Sequence, residues 1–584
     1  MKNLLGLVIL GCILTSSVTL AEPSLIVVFP QTNYQTSAQK IFFLGTAPPD
    51  GQVLINSKPI NRSKAGHFSP SFPLQLGENL FTVRHQNQEL KIKVIGLNAS
   101  PELPQGVAFA KDSLTPAVDI ARLPGEVICF SAIAPPNANV SVTLANQTIA
   151  LLPQPQQAQL PSNLAALTGQ NQPHAQSSVG NYQGCTAVAT AADLGKPQFQ
   201  LTLDGKTITQ SGSGKIEILS RSQLPVSEVT VELGVARTGP STDYSRLTPL
   251  PKGTRATVTG REGEWLRLDY GAWINSKETR ILPGAVPPQT IIRSVGYRQL
   301  PSATEIVFPL QVPVPVSVQQ SEQTLALTLY NTTAQTDIIR LDDNPLINRL
   351  DWQQEAPGQV KYTFNLKKAQ QWGYKLRYDG TTLVLALRHP PKIGNTRRKL
   401  LANFKIVLDP GHGGKESGAS GPTGYLEKDV NLVVSKLLRD ELVKRGATVV
   451  MTREDDKEVS LVERQAIISQ EEPAIAISIH HNSLPDNGDA EKTKGFGTFW
   501  YHPQAHSLAI FLQNYVVKKL GRPHYGVFWN NLALTRPAAA PSVLLELGFM
   551  SNPDEFEQVV NPEEQKKMAK AIAQGITEWV RSVR

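Results

Sequence analysis

The chain changes its hydrophobic rhythm near residue 404. Before that point apolar and polar residues alternate in short runs; after it, longer stripes of helical period appear. Upstream, "SLIVVFP", "KIFFLGTA" and "ELKIKVIGL" within 24–97 read as β-strands between Gly, Pro and Asn turns, as does much of "EVICFSAIAPPNANVSVTLANQTIALLP" in the next stretch. "TLALTLYNT", "VKYTFNLKK" and "TLVLALRH" within 288–390 alternate strictly, which marks strands with one buried face. Downstream, "FKIVLD", "ATVVMT", "PAIAISIH" and "SVLLELGF" are apolar runs of strand length. Between them, "EKDVNLVVSKLLRDELVKRG" carries Val430, Val433, Val434, Leu437, Leu438 and Leu442 as a helical stripe that ends at Gly446. "SLVERQAIIS", "AHSLAIFLQNYVVKKLG" and "NPEEQKKMAKAIAQGITEWVRSV" also read as helices. The pattern predicts a multidomain chain: all-β modules followed by an α/β domain over 404–584 with a mostly parallel sheet.

The β-rich part divides by turn spacing and composition. Residues 22–97 resemble a small bacterial immunoglobulin-like (Ig-like) sandwich, with "LQLGEN" (74–79) as the kind of turn such modules carry. Residues 98–215 form a second β-module, interrupted by the Pro-, Gln- and Ser-rich stretch "PQPQQAQLPSNLAALTGQNQPHAQSSVGNYQG", which reads as a long flexible loop. Within 216–285, "PLPKGT" followed by "EWLRLDYGAWI" resembles a bacterial SH3 domain, a small barrel in which Trp265 and Trp273 are either core residues or a ligand groove. Residues 286–390 resemble, by pattern, length and position, the AMIN domain, a β-sandwich that precedes many cell-wall amidases. A basic linker with paired prolines leads to the last domain, over 391–403.

Composition adds location and surface character. The 43 prolines, 42 glycines and a mean hydropathy of −0.19 suit turn-rich modules rather than a membrane protein. Met1-Lys2-Asn3 followed by "LLGLVILGCILTSSVTLA" reads as a secretory signal peptide over 1–21, with an apolar run too short for a spanning helix. "ILGC" (9–12) also resembles a lipoprotein cleavage box. Export to the periplasm or cell envelope is expected, with no integral membrane segment left after cleavage. Cleavage after Ala21 leaves Cys129 and Cys185, an even pair that in an exported chain suggests one disulfide tying down the ends of the flexible loop. The net charge of +8 is uneven: 404–584 holds 21 basic and 23 acidic residues, and the remainder holds 36 and 26. Basic N-terminal modules favour adhesion to an anionic surface, and nucleic acid is not an expected partner outside the cytoplasm.

Sheets of this kind carry their sites off the carboxyl ends of the strands. Polar residues gather there. His412 follows the first strand in "IVLDPGHGG", Glu427 opens the first helix, His480 and His481 end "PAIAISIHH", and Glu546 sits in "SVLLEL". Two imidazoles and a carboxylate are a common ligand set for catalytic Zn²⁺, with one position left for water. A second carboxylate can accept that water's proton and return it to a leaving amine. Glu546 fits that role, because a carboxylate in an apolar strand is costly to bury without a partner. Adjacent residues on extended chain point to opposite faces, so only one of His480 and His481 is expected to bind, and chain position does not choose between them.

"IVLDPGHGG", "GYLEKDVNL", "TRE…SLVERQAI", "AISIHHNS", "KGFGTFWY" and "APSVLLELGFMSNPDE", in this order over about 404–583, resemble the zinc-dependent N-acetylmuramoyl-L-alanine amidases of the AmiC-like amidase 3 family. The resemblance implies zinc on His412, Glu427 and His480, with Glu546 as the catalytic carboxylate. It implies a peptidoglycan hydrolase that cuts the lactyl amide between N-acetylmuramic acid and L-alanine of the stem peptide, in wall remodelling or daughter-cell separation. His481 stands where the family usually has Ala, which leaves its role open. Division-associated members carry a long insert with a blocking helix after the "SIH" motif; "SLPDNGDAEKTKGFGTF" is too short for one. Restraint is therefore expected either from the N-terminal modules or not at all. The ligand set alone does not separate an amidase from a zinc peptidase acting within the stem, and its completeness argues against an inactive wall-binding scaffold.

Overall fold

The computed structural model describes residues 24–98, 103–155, 157–161, 163–167, 171–176, 179–392 and 400–583. The expected signal peptide, 1–21, and residues 393–399 of the expected linker lie outside them.

The C-terminal domain is a layered α/β unit. Its elements, numbered within the domain, are β1 Lys405–Pro410, α1 Glu427–Lys444, β2 Thr448–Met451, α2 Leu461–Glu471, β3 Ile475–Asn482, β4 Phe496–Trp500, α3 Pro503–Leu520, β5 His524–Trp529, β6 Ser542–Phe549, α4 Pro553–Val560 and α5 Pro562–Ser582. The sheet order is β2-β1-β3-β6-β4-β5. The first four strands run parallel, and β4 and β5 run the other way. Ile406 and Leu408 face the core shared with α1, α3 and α5, whereas Val407 joins Ile468 of α2 on the opposite face. Burial on both faces explains why these strands read as continuous apolar runs.

Upstream, the modules are built mainly from strands. Residues 24–97 pack small sheets over Phe43, Phe68, Phe81 and Val83. The next module holds a six-stranded sheet in which Cys129 and Cys185 face each other across antiparallel strands and form a disulfide. The stretch read as a flexible loop contains a short strand pair, Gln157–Gln159 with His174–Gln176, and a five-residue helix, Asn163–Leu167. Strand Arg255–Glu262 pairs both with its barrel neighbours and with Ile120–Arg122, so one sheet runs from the second module into the third. Trp273 is buried and Trp265 half-buried in this unit. Residues 290–388 form a five-stranded and a four-stranded sheet around Phe308, Leu327, Tyr362 and Leu385. Among the described residues no helix is long and apolar enough to cross a membrane.

The modules dock on the C-terminal domain. Trp372 is 5% exposed and sits in the C-terminal core, 6.0 Å from the Phe404 ring and 5.7 Å from the Trp579 ring. Leu400 and Leu401, expected as linker, are buried in the same core. Arg388 donates to the carbonyls of Ala539, Glu472 and Pro473, and the Tyr374 amide donates to Ala538 O at 2.9 Å. Arg246 and Asn531 exchange side-chain to backbone hydrogen bonds of 3.1 and 3.2 Å from the SH3-like unit. The first module grips the loop after β3: Tyr34 Oη donates to the Asp486 carboxylate at 3.1 Å, Ser71 Oγ to Gly488 O at 3.2 Å, and Phe42 and Leu44 pack on Ala490.

Deleting the Trp372 ring would leave a cavity in the C-terminal core. Trp372→Ala is expected to lower stability by roughly 3–5 kcal/mol, read as a shifted urea midpoint of the intact protein. A change under about 1 kcal/mol would show that this ring is not part of that core.

Candidate active site

The β1 turn is held by two buried arginines. Asp409 is 1% exposed, and its carboxylate accepts from Arg464 Nη1 and Thr452 Oγ1 at 2.6 Å each and from Ser478 Oγ at 2.6 Å. Burial alone would raise its pKa; the Arg464 charge and these hydrogen bonds hold it below the usual carboxylate range. Arg464 also donates to Pro410 O and His412 O at 2.7 Å each. Arg453 donates to Pro410 O at 3.0 Å, Gly411 O at 2.9 Å and Lys428 O at 2.8 Å. So clamped, His412 adopts a left-handed backbone with φ of +60°, a conformation that costs a non-glycine residue about 1–3 kcal/mol.

The turn aims His412 at Glu427, the first residue of α1. His412 Nε2 lies 3.2 Å from Glu427 Oε2, and His480 Nδ1 lies 3.1 Å from Oε1. The Ala419 amide donates to Oε2 at 2.8 Å; Asn431 Nδ2 and the His481 amide donate to Oε1 at 3.0 and 3.1 Å. Burial would raise the pKa of Glu427, and its hydrogen bonds to the two imidazoles hold it well below the usual range. One nitrogen of each ring and one carboxylate oxygen lie within 4.8 Å of one another. Two glycines leave space for the rings. A Cβ on Gly411 would stand 2.2 Å from the His480 ring, and one on Gly418 would stand 2.4 Å from Glu427 Oε2.

Glu546 completes the arrangement. It pairs with His480 across β3 and β6, which puts both side chains at one level of the sheet. Its Oε2 is buried without a hydrogen-bond partner among the described residues. Burial first, and the Glu427 charge second, push its pKa well above the usual carboxylate range. Tyr525, whose own pKa is pushed up to about 12 by burial and by Glu546, donates from Oη to Leu167 O at 2.8 Å. The short helix of the second module therefore touches the rim of the site.

His412, Glu427 and His480 thus converge, with Glu546 beside them. His481 does not join them by its ring. Its side chain turns away to Asn431, and burial pushes its pKa down to about 4. Arg453 and Arg464 carry the geometry, although sequence reading gave them no role. The signal was present: Arg464 lies one helical turn before Ile468, and these are the two buried positions of α2.

Residues 406–578 match the family model described as N-acetylmuramoyl-L-alanine amidase. The last domain belongs to that family. Residues 236–279 match the bacterial SH3 domain. The amidase domain is similar to the "Probable cell wall amidase LytH" of Staphylococcus aureus, 37% identical over 185 residues, which cover 31% of this chain and 60% of that protein. The chain thus spans about 60% of the length of the curated relatives it matches. It is also similar to N-acetylmuramoyl-L-alanine amidase AmiC2 of Nostoc punctiforme, with 32% identity over 30% of this chain and 97% of that one and a TM-score of 0.29. An N-acetylmuramoyl-L-alanine amidase of Clostridium difficile 630 shows 30% identity over 31% and 98%, with a TM-score of 0.30.

Arg464→Leu would strand the Asp409 carboxylate. It is expected to cost about 3–5 kcal/mol at neutral pH, measured by urea unfolding. Because the folded pKa of Asp409 lies below its unfolded value, the pair's contribution is fully present above about pH 4 and is lost as pH falls through the folded value. The gap between wild type and variant should therefore narrow in acid, and a gap constant down to about pH 2 would contradict this assignment.

Proposed function

We propose that the protein is a zinc-dependent N-acetylmuramoyl-L-alanine amidase that acts on peptidoglycan. The observation that carries this reading is the Glu427 carboxylate faced by two imidazole nitrogens at 3.1 and 3.2 Å, beside a second buried carboxyl, Glu546, with one oxygen unpartnered among the described residues. The donor set fits zinc: neutral imidazole nitrogen and carboxylate oxygen, without a thiolate. His412, Glu427 and His480 would hold the metal. Bound there, zinc supplies Lewis acidity that polarises a carbonyl and lowers the pKa of water to roughly 7.

The rest of the chemistry falls to the chain. Glu546 accepts the proton of the attacking water and returns it to the alanine nitrogen as the lactyl amide breaks. Its apolar surroundings and the nearby Glu427 charge raise its proton affinity toward that of a group able to do both. The clamped β1 turn fixes His412 before substrate arrives, so little reorganisation accompanies binding.

The upstream modules, read as Ig-like, SH3-like and AMIN-like, hold the enzyme on the wall after export to the periplasm or cell envelope. Residues 22–390 hold 31 basic and 26 acidic residues, a basic excess that suits anionic wall components. The first module grips the loop after β3, the point in the chain where division-associated members carry their insert.

Zinc-loaded full-length protein on purified sacculi should release stem peptides with a free N-terminal alanine, identified by mass spectrometry and lost on chelation. Shortened stems still attached to muramic acid would mean that the site is a peptidase. Glu546→Gln should keep its zinc and lose at least about 10²-fold in rate. Loss of the metal in that variant would make Glu546 a ligand instead.

A further inference from the structure

We infer that His481 is a positioning residue: its imidazole fixes the side-chain amide of Asn431, which in turn fixes the carboxylate of Glu427. The inference rests on the reading of Glu427 as a metal ligand.

The chain of contacts has one consistent direction. Asn431 is fully buried and His481 is 3% exposed. On one side Asn431 meets Glu427 Oε1 at 3.0 Å and Gly411 O at 3.4 Å. A carboxylate and a carbonyl accept only, so the amide NH₂ must point at them. Asn431 Oδ1 is thereby left facing His481 Nδ1 at 2.8 Å. That oxygen needs a donor, so the His481 proton sits on Nδ1. The opposite amide orientation would set Oδ1 against the Glu427 carboxylate, oxygen to oxygen.

The backbone explains how neighbouring histidines serve one carboxylate. The β3–β6 ladder is irregular between His480 and Asn482. His480 reaches Glu427 Oε1 with its ring, and His481 reaches the same oxygen with its amide at 3.1 Å. The His481 ring is then free to turn to α1 and hold Asn431. His481 thus supports Glu427 twice, once through its own amide and once through Asn431. Partners of this kind fix the orientation of a ligating carboxylate, and losing one typically costs about 10–100-fold in metal affinity.

The test is zinc affinity of the full-length protein, measured by competition with a chromophoric chelator. His481→Ala is expected to weaken zinc about tenfold, by removing the donor to Asn431 Oδ1. His481→Asn, whose amide nitrogen can stand near the place of Nδ1, should recover most of that loss. In an Asn431→Ala background, His481→Ala should add little further. If His481→Ala does not fold, His481→Leu, which has no donor, serves in the same comparison with His481→Asn. Unchanged affinity in the donorless variant would overturn the inference. So would equal losses in the donorless and Asn variants, or additive losses with Asn431→Ala, because packing alone would then account for them. A wild-type protein that holds zinc yet releases no stem peptide would remove the amidase reading and leave this one standing.

Discussion

A buried ion pair sets the site. Asp409 and Arg464 meet at 2.6 Å with almost no exposure on either side. Such a pair is expensive to bury and often adds little net stability. Here its value is geometric. With Asp409 anchored by Thr452 and Ser478, Arg464 has nitrogens left for the carbonyls of Pro410 and His412. Arg453 covers Gly411 from the other side and reaches Lys428 at the start of α1. Three successive carbonyls of the turn are therefore held by charged donors, and the first turn of the helix is tied to the strand end. The left-handed backbone of His412 persists because its surroundings leave it nowhere else to go.

From that turn outward, the site is a meeting of four elements, three strands of one sheet and the helix packed on it. β1 delivers His412, α1 delivers Glu427, and β3 delivers His480 opposite Glu546 of β6. A two-residue period governs strand faces, so a one-residue slip of β3 would turn His480 away and bring His481 round. The two carboxylates have opposite fates for physical reasons. Glu427 has five close polar neighbours and stays ionised; Glu546, whose Oε2 is buried without a hydrogen-bond partner among the described residues, has a negative neighbour and holds its proton more tightly.

Much of this was legible in the residue pattern. The long periodic segments announced themselves: the stripe from Val430 to Leu442 and the runs "FKIVLD" and "PAIAISIH" became α1, β1 and β3. The four candidate site residues stood at strand ends or at a helix start, where chemistry collects in such sheets. Other features were hidden. Strand β5 contains Gly526 and follows Pro523, which dilutes any β signal, and nothing local says that β4 and β5 run against the rest. The short helix α4 opens on an Asn-Pro cap that also reads as a turn. Arg453 and Arg464 had no role in the sequence reading, since the pattern of a single chain does not show which arginine is aimed at backbone carbonyls. Trp372 lay in a stretch assigned to another module, and its burial depends on a neighbour known only in three dimensions.

That tryptophan changes what the word module means in this chain. Residues 391–403 read in the sequence as a linker, yet the units on either side share a core, and Arg388 grips backbone on the far side. Tension drawn through the N-terminal units would be borne by that packed joint. The joint includes Ala538 and Ala539, a few residues ahead of the strand that carries Glu546. A pull on the N-terminal units is thus delivered to the base of the strand that carries Glu546, making the last domain and its nearest neighbour one mechanical part rather than two beads on a string.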